Sequence, residues 1–172
     1  MLRKAPNMPK RFLIFFILQS LLIATTPSYA IEKADIVTVY KSERILFLMR
    51  EGEVLAKFNV TFGAEPIGHK QQQGDEKTPE GPYILDYKNA NSAFYKSIHV
   101  SYPNSKDRRT ARKLGVDPGG DIMIHGQTNN WGWAAPISRF FNWTDGCIAL
   151  SDEDMQQVWE SVDSGTPIEI HP

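Results

Sequence analysis

A mainly β domain with one or two short helices is the fold class predicted by this 172-residue chain, and three observations predict it. Runs rich in β-branched and aromatic residues recur from residue 35 to residue 101. Turn-forming residues punctuate them, as strands of a small β domain require. The one clear helical period lies near the C-terminus, where apolar residues fall three and four apart.

The elements follow in chain order. Asp35 to Tyr40, Arg44 to Arg50 and Val54 to Phe62 are predicted strands, and Arg50-Glu51-Gly52-Glu53 fits a hairpin turn between two of them. Gly63 to Pro79 is rich in Gly, Lys and Gln, a long polar loop, and long loops in small domains are often functional. Tyr83 to Tyr87 and Ser97 to Ser101 are further strands. Lys106 to Leu114 reads as a short basic helix stopped by Gly115, and Asp121 to His125 as a short strand ending on a histidine. Ser151 caps the last helix, with Asp154 in the capping-box position. Met155, Val158, Trp159 and Val162 form its buried stripe; Gly165 ends it, and Pro167 to Ile170 returns as a strand.

The first 30 residues have the three-part pattern of an export signal: a basic start, the apolar run Phe12 to Ala24, and small residues at Ser28 and Ala30. The apolar run is short for a bilayer span, which needs about 20 residues, so cleavage after Ala30 is expected rather than membrane insertion. Residues 31–172 then make one domain, working in the periplasm or cell envelope. Losing the leader removes four of the 19 Lys and Arg and none of the 20 Asp and Glu, which leaves a net charge of −5. No basic stripe remains to recommend a nucleic-acid partner.

Cys147 is the only cysteine. In an oxidising compartment a lone thiol has no internal disulfide partner, so it is inert, paired between chains, or used chemically. Gly146 before it leaves room for substrate, and backbone amides beside a nucleophile suit an oxyanion. A thiol attacks only as thiolate, and a neighbouring imidazole takes its proton. Of the four histidines, His171 lies at a chain end expected to fray, His69 is in the polar loop, and His99 sits within a strand. His125 ends an apolar strand against Gly126, so it is the expected base, with the Gly126 carbonyl holding its other ring nitrogen.

Between base and nucleophile, Gln127 to Trp143 carries Trp131, Trp133, Phe140, Phe141 and Trp143. These residues read either as a lid over substrate or as packing beside a cleft. Arg139 reads as a carboxylate partner or a solvated arginine.

The order of these pieces resembles the L,D-transpeptidase catalytic domain (YkuD-type) family. The residues that carry the resemblance are His125-Gly126, then Thr144-Asp145-Gly146-Cys147-Ile148, and upstream Gly74-Asp75-Glu76-Lys77-Thr78-Pro79-Glu80-Gly81-Pro82-Tyr83. Ser101-Tyr102-Pro103-Asn104 and Gly115 to Ile122 also resemble a branch with W-T-x-G-C around the cysteine. The resemblance implies a β-sandwich-like domain with the cysteine in a cleft. It also implies a cysteinyl acyl-enzyme on peptidoglycan stem peptides, with neither metal nor organic cofactor, and a wall-attached lipoprotein as a further partner.

Many members place a second histidine two positions before the cysteine and Arg or Asn two positions after it; here those places hold Asp145 and Ala149. Relatives with this pattern include hydrolases that detach proteins from peptidoglycan. The expected substrate contacts are Thr144, Asp145, Trp131, Trp133 and His99, with Asp145 equally suited to a turn. The alternatives are a hydrolase of the same fold, either an L,D-carboxypeptidase or an amidase releasing a wall-linked protein, and a non-catalytic peptidoglycan-binding module. A zinc hydrolase using His99, His125 and Cys147 lacks any H-E-x-x-H or C-x-x-C spacing.

Overall fold

A computed structural model describes residues 32–129 and 144–172. These form eight strands and two helices in the order β1 (Ile36–Tyr40), β2 (Ile45–Arg50), β3 (Glu53–Asn59), β4 (Gly81–Asn89), β5 (Ser97–Val100), α1 (Ser105–Leu114), β6 (Met123–His125), β7 (Ile148–Ala149), α2 (Asp152–Ser161) and β8 (Thr166–His171). The chain is mainly β, as the sequence predicts. One continuous sheet runs in the order β3-β2-β1-β8-β4-β5-β6-β7. The sheet closes on itself, because Thr61, beyond the end of β3, pairs with Ala149 of β7 through two backbone hydrogen bonds of 2.9 Å. None of the described helices is long and apolar enough to cross a membrane.

Alternation builds the core. In β1 and β2, Val37, Val39, Leu46 and Leu48 turn inward and are almost fully buried. The β2–β3 hairpin turns on Glu51 and Gly52, both at positive φ (51° and 85°), the conformation that matches strand twist in a two-residue turn. The last strand, β8, lies in the middle of the sheet, parallel to β1 and antiparallel to β4, with Ile168 and Ile170 in the core. From α2, Met155 and Val158 are fully buried, and so is Val162 at its C-cap. Trp159 is only partly buried, and the Lys88 and Lys96 ammonium groups lie over its ring.

Several expectations change. The third strand stops at Asn59 instead of Phe62, because after Val60, still bonded to Arg44, Thr61 and Phe62 turn away to meet Ala149 and Thr144. Ser151 caps α2 by accepting the Asp154 amide, but the helix ends at Ser161 and Gly165 serves the turn before β8. The capping box belongs to α1, where Asn104 and Asp107 satisfy each other's amides. His171 does not fray: it is in β8 beside Tyr40, ring stacked on ring at 4.7 Å. His69 is tied at both nitrogens. Its Nδ1 accepts the Glu80 amide at 2.9 Å, and its Nε2 lies 3.2 Å from the buried Asp107 carboxylate.

The polar loop is internally braced. Buried Lys70 meets Asp75 at 2.8 Å, and Asp75 also accepts the amides of Gln71, Gln72 and Lys77. Burial works against the Asp75 carboxylate, yet Lys70 and the three amides hold it below the usual carboxyl range. The loop therefore holds a defined shape as it passes the end of β7.

Candidate active site

The sheet register brings the expected base and the expected nucleophile onto neighbouring parts of the sheet. Ser97, Ile98 and His99 of β5 face His125, Ile124 and Met123 of β6, and Ile124 and His125 in turn lie beside Ile148 and Ala149 of β7. Ile98, Ile124 and Ile148 are fully buried in the core. Alternation turns their neighbours His99, Met123 and His125 to the opposite face. Cys147, immediately before β7, lies against the backbone of this face: its Sγ accepts the Met123 amide at 3.4 Å and is 3.6 Å from the Asp121 carbonyl.

His125 is buried, 2 % exposed, beneath the ring of Phe94 at 4.3 Å. Its Nδ1 is 2.6 Å from the Gly126 carbonyl oxygen. A carbonyl only accepts, so Nδ1 carries the hydrogen and Nε2 is the atom that takes a proton. Gly126 must be glycine here. A Cβ would stand 2.6 Å from both the Asp152 carboxylate and the Tyr95 carbonyl. Asp152 Oδ1 in turn accepts the Gln127 amide at 2.7 Å, and Gln127 Nε2 donates to the Leu150 carbonyl, so the segment after the base is locked to the start of α2.

The turn into Cys147 is also packed backbone on backbone. Thr144 Oγ1 donates to the Cys147 carbonyl at 2.7 Å and accepts the Gly146 amide at 3.3 Å. Thr144 is buried, and both of these hydroxyl bonds fall within the turn, so it clamps the backbone of Gly146 and Cys147. Asp145 is exposed beside the turn. Gly146 has φ of 113°. Its missing side chain admits the Lys77 carbonyl, which a Cβ would meet at 2.4 Å.

His99 lies on the same face, directly opposite Met123. A β-bulge sets Asp86 and Tyr87 opposite it. Asp86 is 2.6 Å from His99 Nδ1, and the half-exposed Tyr87 ring stacks on the imidazole at 4.6 Å. Trp131, Trp133, Arg139, Phe140, Phe141 and Trp143 lie outside the described residues. Among the described residues no group of three or more His, Cys, Asp or Glu converges as a metal would need.

Burial disfavours charge on both Cys147 and His125. Burial pushes the Cys147 thiol up, aided by Asp145 and Asp121 and opposed by the Met123 amide and Lys70. Burial also holds His125 below the ordinary imidazole range, although the Gly126 carbonyl favours the protonated ring. Both shifts favour thiol with neutral imidazole over thiolate with imidazolium. The rate of Cys147 alkylation by iodoacetamide should therefore climb with pH, with a midpoint above the value of about 8.5 for free cysteine. A flat profile between about pH 6 and 8, the mark of a preformed ion pair, would contradict this.

Cys147, just before β7, and His125, at the end of the neighbouring β6, are residue types that suit covalent chemistry at a thiol. Residues 34–170 match the L,D-transpeptidase catalytic domain model (YkuD), and the chain belongs to this family. It is 29% identical over 130 residues to YafK of Escherichia coli K12, a protein named as an L,D-transpeptidase, covering 70% of this chain and 51% of that one. The chain thus spans about half the length of this curated relative.

Among solved structures, it resembles the helical cell shape determining protein Pgp2 from Campylobacter jejuni. That match has 26% identity and a TM-score of 0.59, covering 78% of this chain and 46% of that chain. An L,D-transpeptidase from Xylanimonas cellulosilytica shares the fold, with 16% identity, a TM-score of 0.53 and coverage of 81% and 61%.

The sequence named Cys147, His125, Gly126 and Gly146, which the register gathers at one place. It assigned no role to Thr78, Gly63, Asp152 or the Met123 amide. Thr78 and Gly63 had a signal, a Thr-Pro pair and a glycine flanking the polar loop, but nothing local says that these meet Gly146.

Proposed function

We propose that this domain is exported by its leader and acts on peptidoglycan stem peptides through a thioester on Cys147. The single observation that carries the reading is His125 Nδ1 held on the Gly126 carbonyl, which reserves Nε2 for the thiol proton. Membership of the L,D-transpeptidase family supports peptidoglycan as the substrate class.

As the sulfur forms its bond to the carbonyl carbon of the third, diaminopimelate-type residue, His125 Nε2 takes the thiol proton and the carbonyl electron pair moves to oxygen. Collapse of this intermediate breaks the amide bond. The leaving amine of the terminal D-alanine takes the proton from His125. An acceptor amine then attacks the thioester, forms the new amide, and returns its surplus proton through His125 to the sulfur. Water in place of the amine gives the hydrolase. Where a lipoprotein is joined through the same type of linkage, attack there releases it. Neither a metal nor an organic cofactor enters these steps, and nucleic acid has no part in them.

Mixing the domain with a purified disaccharide tetrapeptide should give an intact-mass adduct of the donor less D-alanine. The released products then separate cross-linking from hydrolysis. No adduct and no product would overturn tetrapeptide as the donor.

A further inference from the structure

The geometry points to Thr78 as a positioning residue that aims the Cys147 amide at the oxyanion. This rests on the acyl-transfer reading. Thr78 is fully buried, and its Oγ1 donates to the Gly146 carbonyl at 2.9 Å. That carbonyl and the Cys147 N–H belong to one planar trans peptide, so they point in opposite directions. A hydroxyl that pins the carbonyl on the loop side therefore turns the Cys147 N–H the other way.

The remaining polar groups of the turn are directed elsewhere. The Gly146 amide goes to Thr144 Oγ1, and the same hydroxyl holds the Cys147 carbonyl. The Cys147 amide is the donor that Thr78 orients. An oxyanion donor contributes through being aimed before the reaction, so a fixed peptide plane is worth more than a mobile one.

Thr78 is itself held with unusual firmness. Its carbonyl accepts from Lys41 Nζ at 3.2 Å, and that ammonium also binds the Gly68 carbonyl and Glu80, both at 2.7 Å. Pro79 restricts the Thr78 backbone to extended conformations. The 76–78 segment presses directly on two glycines. A Cβ on Gly63 would stand 1.9 Å from the Glu76 carbonyl oxygen and 2.8 Å from the Gly146 amide nitrogen. A side chain at either glycine would break this close approach.

The test compares two reactions of Cys147, followed by intact mass with Cys147→Ala as background. Acetylation by p-nitrophenyl acetate passes through a tetrahedral oxyanion: the S–C bond forms, p-nitrophenolate leaves, and the thiol proton goes to His125. Alkylation by iodoacetamide needs a thiolate but no oxyanion. Thr78→Val keeps the shape and removes the hydroxyl. It should slow acetylation at least about 10-fold while alkylation stays within about twofold, and Thr78→Ser should restore acetylation. Thr78→Ala carries the same comparison if the valine variant does not fold.

Equal slowing of both reactions would make Thr78 merely structural, and no slowing of either would make the hydroxyl irrelevant; each overturns the proposal. A wild-type domain acetylated by the ester yet inert to the tetrapeptide would refute the stem-peptide substrate and leave the Thr78 result standing.

Discussion

Cys147→Ala should abolish acyl-enzyme formation and lower turnover at least about 10⁴-fold, because removing a nucleophile removes the covalent route itself. The fold should survive the change. Cys147 is partly exposed, and its sulfur makes one weak contact with the Met123 amide and one with the Asp121 carbonyl. The loss of such contacts costs on the order of 1 kcal/mol. Binding of a stem peptide, measured by calorimetry, should persist while the thioester adduct vanishes from the mass spectrum. Turnover retained by the alanine variant would remove Cys147 from the mechanism and favour a different wall-active chemistry. Binding without turnover in the wild-type protein as well would favour the binding module.

Gly146→Ala should damage both fold and chemistry. Alanine at a φ of 113° is strained, at a cost of order 1–3 kcal/mol. Its Cβ would also stand 2.4 Å from the Lys77 carbonyl oxygen and 3.3 Å from the Ile122 side chain. The first of these is backbone, so the strand of loop beneath the nucleophile has to move. We expect a loss of about 3 kcal/mol, seen as a melting midpoint lowered by roughly 10 °C. Displacing the nucleophile by about 1 Å should cost a further 10²-fold in turnover at temperatures where the variant remains folded. Calorimetry and single-turnover acylation check the two effects separately. An alanine variant with unchanged stability and rate would mean that the turn is not packed as described.

Cys147, His125 and Gly126 stand out in the sequence as candidates because chemistry restricts the residue types and because each carries a local mark. One is the only thiol, one ends an apolar strand, and one is a glycine at that strand's end. Likewise β1, β2 and β8 show the two-residue alternation of buried and outward positions. The third strand was overextended because Val60 to Phe62 are as β-forming as the residues before them. Their apolar character serves the closure against Thr144 and Ala149 rather than the hairpin. The two-residue β7 carries too little pattern to be recognised alone, yet its register with β6 sets Cys147 against Met123, two residues before His125.

The polar loop reads as mobile because its residues are hydrophilic. Its order comes from the Lys70–Asp75 pair within it and from Lys41, whose ammonium ties the Gly68 and Thr78 carbonyls to Glu80 just beyond the loop. The expectation that His171 frays failed for the same reason, because Tyr40 is not near it in sequence, and nor is Asp107 near His69.

The sequence by itself determined the mainly β class and the core-facing set of the regular strands, and it singled out Cys147 and His125 as candidates, since these depend on residue type and on spacings of two to four residues. Tertiary structure alone decided which face His125 shares with Cys147, that the sheet closes through Thr61 and Ala149, and that Thr78 reaches Gly146 from 68 residues away. Such ties depend on close approach between distant backbones at glycine and on the need of every buried polar group for a partner, and neither leaves a local period to read.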